Sequence, residues 1–200
     1  MLLPVVLMLA HTMLSVGFGA DGATLRPASR PQAPSSPQGL GPEPPLAVVS
    51  AGEPAPNFSY QGTDGHWRGL RDLTDKGAVL LAFAPREHNL IRLQREREAL
   101  LDLGVIPVAL VELRPGSARS LVRRLGLTYT VLSDPRCVIA SQFNVVDPIT
   151  QSAVPSWFIV DRRGRVRALR RGSLPVSGYP TVAARALGLP LPGATLPSHR

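Results

Sequence analysis

Few residues in this sequence can do covalent chemistry. There is one cysteine, Cys137, and there are four histidines. A single cysteine excludes an internal disulfide framework, a C-x-x-C redox pair and a cysteine-based zinc site, and four scattered histidines do not make a metal site. No cofactor is expected. Cys137 follows Leu132-Ser133-Asp134-Pro135-Arg136, where a helix is expected to begin. A helix N-terminus and an adjacent arginine lower a thiol's pKa, and the resulting thiolate is a nucleophile. The sequence holds no second cysteine to resolve a sulfenic acid, so turnover would need an external thiol. The other role open to Cys137 is that of a small buried apolar side chain.

A second group of candidates lies in Pro85-Arg86-Glu87-His88-Asn89-Leu90-Ile91-Arg92. If a helix starts at Asn89, that residue is its N-cap, its side-chain oxygen accepting a backbone N–H of the first turn. Arg86, Arg92 and the remaining N–H groups could then converge on a carboxylate or phosphate. Alternatively Arg92 snorkels into solvent, because a cation in a first helical turn costs about 0.3–1 kcal/mol against the helix dipole. His88 is either a base beside that anion or a lone exposed histidine. Arg162, Arg163, Arg165, Arg167, Arg170 and Arg171 form the third group. On an edge hairpin, Arg165 and Arg167 share a face by the period of two and keep another chain from pairing with the edge. Docking to anionic lipid headgroups or an acidic partner is the other use of such a run.

The net charge of +8 rests almost wholly on arginine, Lys76 being the one lysine among 22 basic residues. A GC-rich gene produces that bias by mutation pressure alone. No nucleic-acid motif accompanies the charge, so nucleic acid is not expected as a partner. Residues 2–19, LLPVVLMLAHTMLSVGFG, carry no acid, lysine or arginine. They read as the core of a signal peptide or N-terminal membrane segment over 1–23, which implies export or a membrane tether. No basic residue precedes the run, and a start at Met8 or Met13 would leave the protein in the cytoplasm. Residues 24–50 are proline-rich and extended, a semi-rigid linker. Residues 51–188 are expected as one globular domain and 189–200 as a disordered tail. A domain of roughly 130–140 residues buries about two thirds of its unfolded surface, enough for a core without disulfide or metal staples.

Within the domain, strands and helices alternate. Asn57–Gln61 and His66–Leu70 are expected to pair as a hairpin around Thr63-Asp64-Gly65. Ala78–Ala84 and Val105–Val111 are continuous apolar runs, the mark of strands buried on both faces. Tyr129–Leu132, Trp157–Val160 and Arg165–Leu169 complete the strands. Helices are expected over Asn89–Leu103, Ser117–Leu125, Arg136–Phe143 and Pro180–Leu187, with Gly104 and Gly126 as stops. This order implies an α/β fold with a central mixed sheet flanked by helices and an N-terminal hairpin.

The same residues resemble a family. GEPAPNFSYQGTDGHWRGLRDL is similar to the opening of redoxins of the alkyl hydroperoxide reductase C/thiol-specific antioxidant type, through Gly52, Ala55, Pro56, Phe58, Asp64, Gly65, Leu70, Asp72 and Leu73. AVLLAFAP, LSDP at 132–135 and FNV at 143–145 resemble the core strand and later elements of that family. VPSWFIVDRRGRV resembles a thioredoxin-like strand-turn-strand. The resemblance covers about residues 50–170 and implies a thioredoxin-like fold with peroxidase or thiol oxidoreductase ancestry.

It also implies where the chemistry should be. Peroxiredoxins place their reactive cysteine in P-x-x-x-[TS]-x-x-C; here Pro85 matches, Asn89 stands at the hydroxyl position and Arg92 at the cysteine. An arginine can do no thiol chemistry and holds its proton too firmly to act as a base. Pro155 stands where thioredoxin-like proteins often carry a cis proline, with Val154 and Ser156 offering backbone groups to an extended peptide. The resulting expectation is a redoxin domain that has lost thiol catalysis and binds a protein or peptide at the degenerate active-site face. An anionic ligand near Arg92 is a further possible guest. The alternative is an antioxidant one-cysteine peroxidase using Cys137. The oligomeric state is left open.

Overall fold

The computed structural model describes residues 48–191; the segment expected as a leader, most of the linker and the end of the tail lie outside the described residues. The hairpin forms from β1 (Ser59–Gln61) and β2 (Trp67–Gly69), paired antiparallel. A short helix the sequence reading did not anticipate, α1 (Leu70–Thr74), follows directly and drops Leu70 and Leu73 into the core. Asp72 accepts the Gly69 N–H at 2.8 Å and so closes its start.

The main sheet has the order β5-β4-β3-β6-β7. Its strands are β3 (Ala78–Phe83), β4 (Val105–Val111), β5 (Thr130–Ser133), β6 (Ser156–Val160) and β7 (Val166–Arg170). β3, β4 and β5 run parallel, while β6 and β7 are antiparallel to their neighbours. The expected thioredoxin-like α/β architecture is therefore present. Every residue of β3 is buried, because helices cover both sheet faces. The period of two sends Val79, Leu81 and Phe83 to one face, against Phe58, Phe143 and Phe158. Ala78, Leu80 and Ala82 go to the other, against Leu90, Leu93 and Leu100.

The helices are α2 (Glu87–Arg95), α3 (Arg97–Asp102), α4 (Pro115–Leu125), α5 (Val138–Gln142) and α6 (Tyr179–Leu187). The single helix expected over 89–103 is in fact two. The break falls at Glu96, with φ −90° and ψ 1°, whose carboxylate accepts from Arg92 of α2 on one oxygen and from the Tyr179 N–H on the other. α4 starts two residues ahead of expectation because Pro115 is pre-set for the first helical turn. α5 starts two residues late. Asp134, 3% exposed, accepts the N–H groups of Val138, Ile139 and Ala140 at 2.8–3.0 Å and thereby fixes where that helix begins.

β7 is a sheet edge, as the arginine pattern implied, but arginine is not its only protection. The segment 52–55 lies along its start, with Gly52 donating to the Val166 carbonyl and Val166 to that of Glu53. Arg165 donates to the Gly52 carbonyl at 2.9 Å. Arg171 is not a surface charge: it donates to the carbonyls of Val49, Phe143 and Asn144 and lies 5.4 Å from the Phe158 ring centre. Val49 itself packs into the core. Among the described residues, no helix is long and apolar enough to cross a membrane.

Candidate functional site

The candidates from the Pro85–Arg92 stretch sit at the C-terminal end of β3. Ala84 leaves the strand at φ 45°, Pro85 follows, and α2 begins at Glu87 with Arg86 as its N-cap. Asn89 is thus the third helical residue and not the cap. Its Oδ1 reaches back to accept the Arg86 N–H at 3.2 Å. Arg86, His88, Asn89, Arg92 and Pro155 line one hollow of about 360 Å³, closed on its far side by Leu174, Pro175 and Val176. The structure so brings together five of the residues singled out from the sequence. Pro85 and Arg86 also line a larger neighbouring groove of about 940 Å³ between the starts of α2 and α4. Arg124 and Glu87 form an ion pair there.

Arg92 differs from expectation in position and in role. It lies in the second turn of α2, toward the end of the helix where a cation suits the dipole. Its Nε–H donates to Glu96 Oε1 at 2.8 Å, Nη1 to the Pro175 carbonyl at 2.9 Å and Nη2 to the Val176 carbonyl at 3.0 Å. The guanidinium also stands 5.5 Å from the centre of the Tyr179 ring. The second oxygen of Glu96 accepts the Tyr179 N–H at 2.7 Å. Together these contacts tie α2, the loop after β7 and the start of α6. The loop enters α6 through Gly178 at φ 95°, ψ 140°, a conformation open essentially to glycine alone. The partners of Arg92 were missed in the sequence; the i, i+4 spacing of Arg92 and Glu96 was the one available signal.

Pro155 joins the hollow through a trans bond: the described residues contain no cis peptide, contrary to the cis proline considered from the sequence. Part of its neighbours' backbone is already used. Val154 N–H donates to the Val145 carbonyl at 2.8 Å, and Ser156 pairs with Phe83 in the sheet.

Cys137 is on the other side of the sheet. It belongs to the Phe58–Phe83–Phe143–Phe158 core, is 3% exposed, and caps α5 in a left-handed conformation at φ 52°. Burial raises its pKa first of all and the nearby Glu112 carboxylate adds to that; the Ala153 N–H works the other way, and Asp134 contributes a smaller rise. This reverses the lowering anticipated from the helix start and Arg136. Glu112 was not foreseen at all. It accepts from Ser152 Oγ and the Ala153 N–H at 3.1 Å each, a contact made across 40 residues of chain.

Residues 51–169 match the AhpC/TSA family. The chain belongs to that family. No curated protein matches it. Among solved structures, the peroxidoxin BcpB of Mycobacterium tuberculosis aligns with a TM-score of 0.60 at 18% identity, over 70% of this chain and 95% of that one. The reduced 2-Cys peroxiredoxin of Plasmodium vivax aligns with a TM-score of 0.60 at 18% identity, over 69% and 82%. The mitochondrial 2-Cys peroxiredoxin of Plasmodium falciparum gives 0.58 at 18%, over 70% and 92%. At such identity the structures speak for the fold.

In this AhpC/TSA domain the thiol is shielded by the core, and its reactivity should show it. Iodoacetamide is expected to alkylate Cys137 about tenfold or more slowly in the folded protein than in urea at the same pH. Equal rates in both would mean that the thiol is accessible and the packing around α5 is loose. Because the folded pKa lies above the unfolded one, the thiol's contribution to stability is complete below the unfolded pKa. It is lost as pH rises through the folded value.

Proposed function

We propose that this AhpC/TSA domain has given up thiol redox turnover and works by binding a protein or peptide at the hollow beside α2. The observation that supports the reading most is the use made of Arg92. At the position where the family resemblance puts the reactive cysteine, the side chain is committed to Glu96, two carbonyls and the Tyr179 ring. The one sulfur of the cysteine type lies across the sheet, 3% exposed and held protonated. The exposed Arg86 and His88 side chains at the rim favour a partner that presents a carboxylate or other anion. Val176, 92% exposed on the opposite wall, offers an apolar contact. The uncharged run at 2–19 supports an exported or membrane-tethered placement.

The test is peroxide consumption by the full chain with an external thiol reductant, measured beside the Cys137→Ser variant. Consumption no faster than with the variant or with buffer thiol alone is expected. Catalytic consumption that disappears in the variant would replace this reading with a one-cysteine peroxidase.

A further inference from the structure

The end of the sheet opposite the α2 hollow carries an exposed basic surface that the proposed function does not use. Lys76 precedes β3, Arg162 and Arg163 form the turn between β6 and β7, and Arg167 stands on β7. All four are exposed, and all four line one open hollow of about 510 Å³. Asp161 is the only carboxylate in its wall among the described residues. That group is already occupied, accepting the N–H groups of Arg163 at 2.9 Å and Arg165 at 3.0 Å, with Arg167 a further 3.8 Å away. Arg162 is braced by its bond to the Asp75 carbonyl, which holds the turn against the loop before β3. Four cations thus face one engaged anion.

Apolar side chains border this charge, beside the carboxylates Asp72 and Asp75 of an adjoining hollow. Leu103, Leu187 and Leu189 line the same hollow, and Leu191 just beyond is 43% exposed. Lys76 is shared with an adjoining hollow that holds Trp67, which is 69% exposed. Cations interleaved with exposed tryptophan and leucine suit an interface whose outer layer is anionic and whose inner layer is hydrocarbon. An acidic polypeptide would satisfy the charges but leave Trp67, Leu189 and Leu191 in water. A small free anion would need a tighter cradle than residues from separate loops provide.

We infer that this face, built around Lys76, Arg162, Arg163 and Arg167, docks the domain onto a bilayer surface carrying anionic phospholipid headgroups.

The experiment is cosedimentation of the full chain with vesicles of phosphatidylcholine alone and of phosphatidylcholine with about a third phosphatidylglycerol. The uncharged run at 2–19 contributes to both vesicle types, so the difference between them reads the charged surface. Partitioning is expected to be about tenfold stronger on the anionic vesicles at low salt and to fall toward the neutral value by half-molar salt. The triple variant Lys76→Gln/Arg163→Gln/Arg167→Gln should lose most of that difference. Arg119→Gln/Arg123→Gln/Arg136→Gln removes the same charge from exposed positions on α4 and before α5, and should keep it. Circular dichroism confirms that both variants fold. Equal partitioning on the two vesicle types, or equal losses in the two variants, would overturn the inference. So would displacement by millimolar inorganic phosphate, which would mark a small-anion site, or tighter capture by polyglutamate than by the vesicles, which would mark an acidic protein partner.

Discussion

Replacing Phe143 with alanine is expected to lower the unfolding free energy by about 4 kcal/mol, in the range of buried aromatic truncations. Phe143 has no exposed surface and stands where three other rings meet. Its centre is 5.0 Å from that of Phe158, 5.2 Å from Phe83 and 6.3 Å from Phe58, at tilted or edge-on angles. Truncation removes its transfer free energy, three favourable ring pairs, and the contacts that neighbours on the sheet cannot regain by collapse. A small domain has about 5–15 kcal/mol to lose, so the variant should sit near its unfolding threshold. A urea titration reads the effect as a lower midpoint at unchanged slope. Phe143→Leu, which keeps much of the volume, should cost far less. A shift below about 1 kcal/mol for the alanine variant would show that the ring cluster is not the centre of the core. Since Cys137 belongs to the same cluster, alkylation of its thiol should accelerate in step with the lost stability.

The second large effect is expected at Arg92. Arg92→Ala should cost about 2 kcal/mol, because it strips charge-assisted bonds from Glu96 and from two loop carbonyls at once. The Pro175 carbonyl belongs to a buried residue, and the Glu96 carboxylate is left with the Tyr179 N–H alone. The figure is kept modest because the arginine side chain is 31% exposed, so water can replace part of what is lost. Arg92→Lys should rescue little. An ammonium cannot place three donors in the plane that reaches Glu96, Pro175 and Val176 together. Hydrogen exchange distinguishes this from a generic loss: protection should fall first at Tyr179 and through residues 172–178, before the sheet is affected. Unchanged stability and unchanged exchange there would reduce Arg92 to an ordinary surface arginine.

The two substitutions also separate what could be read from the chain from what could not. The order of strands and helices was legible because it rests on local patterns: unbroken apolar runs for β3 and β4, glycine stops after α3 and α4, and the D-R-R-G turn before β7. The absence of sulfur at Arg92 needed only the residue types and their spacing from Pro85. The gathering of Arg86, His88, Asn89, Arg92 and Pro155 followed from the family resemblance, which supplied the long-range pairing that periodicity alone does not contain.

What escaped the sequence were contacts between residues far apart along it. Arg92 looked like a charge at a helix start because α2 begins two residues earlier than expected, and the carbonyls it binds lie 83 and 84 residues away. Arg171 looked like one more edge arginine, yet its donors go to Val49, Phe143 and Asn144. Cys137 looked ready to ionise beside a helix start and an arginine, but a thiol's pKa answers to solvent access and to the nearest charges in space. Burial in the aromatic core and the carboxylate of Glu112, brought in by β4, outweighed both local influences. The residue types and their local order thus determined the fold and the presence of one cysteine in the chain. Which side chains are spent on holding the fold, and which remain at a surface for a partner, was decided only by tertiary packing, since burial and partner choice are properties of neighbours in space.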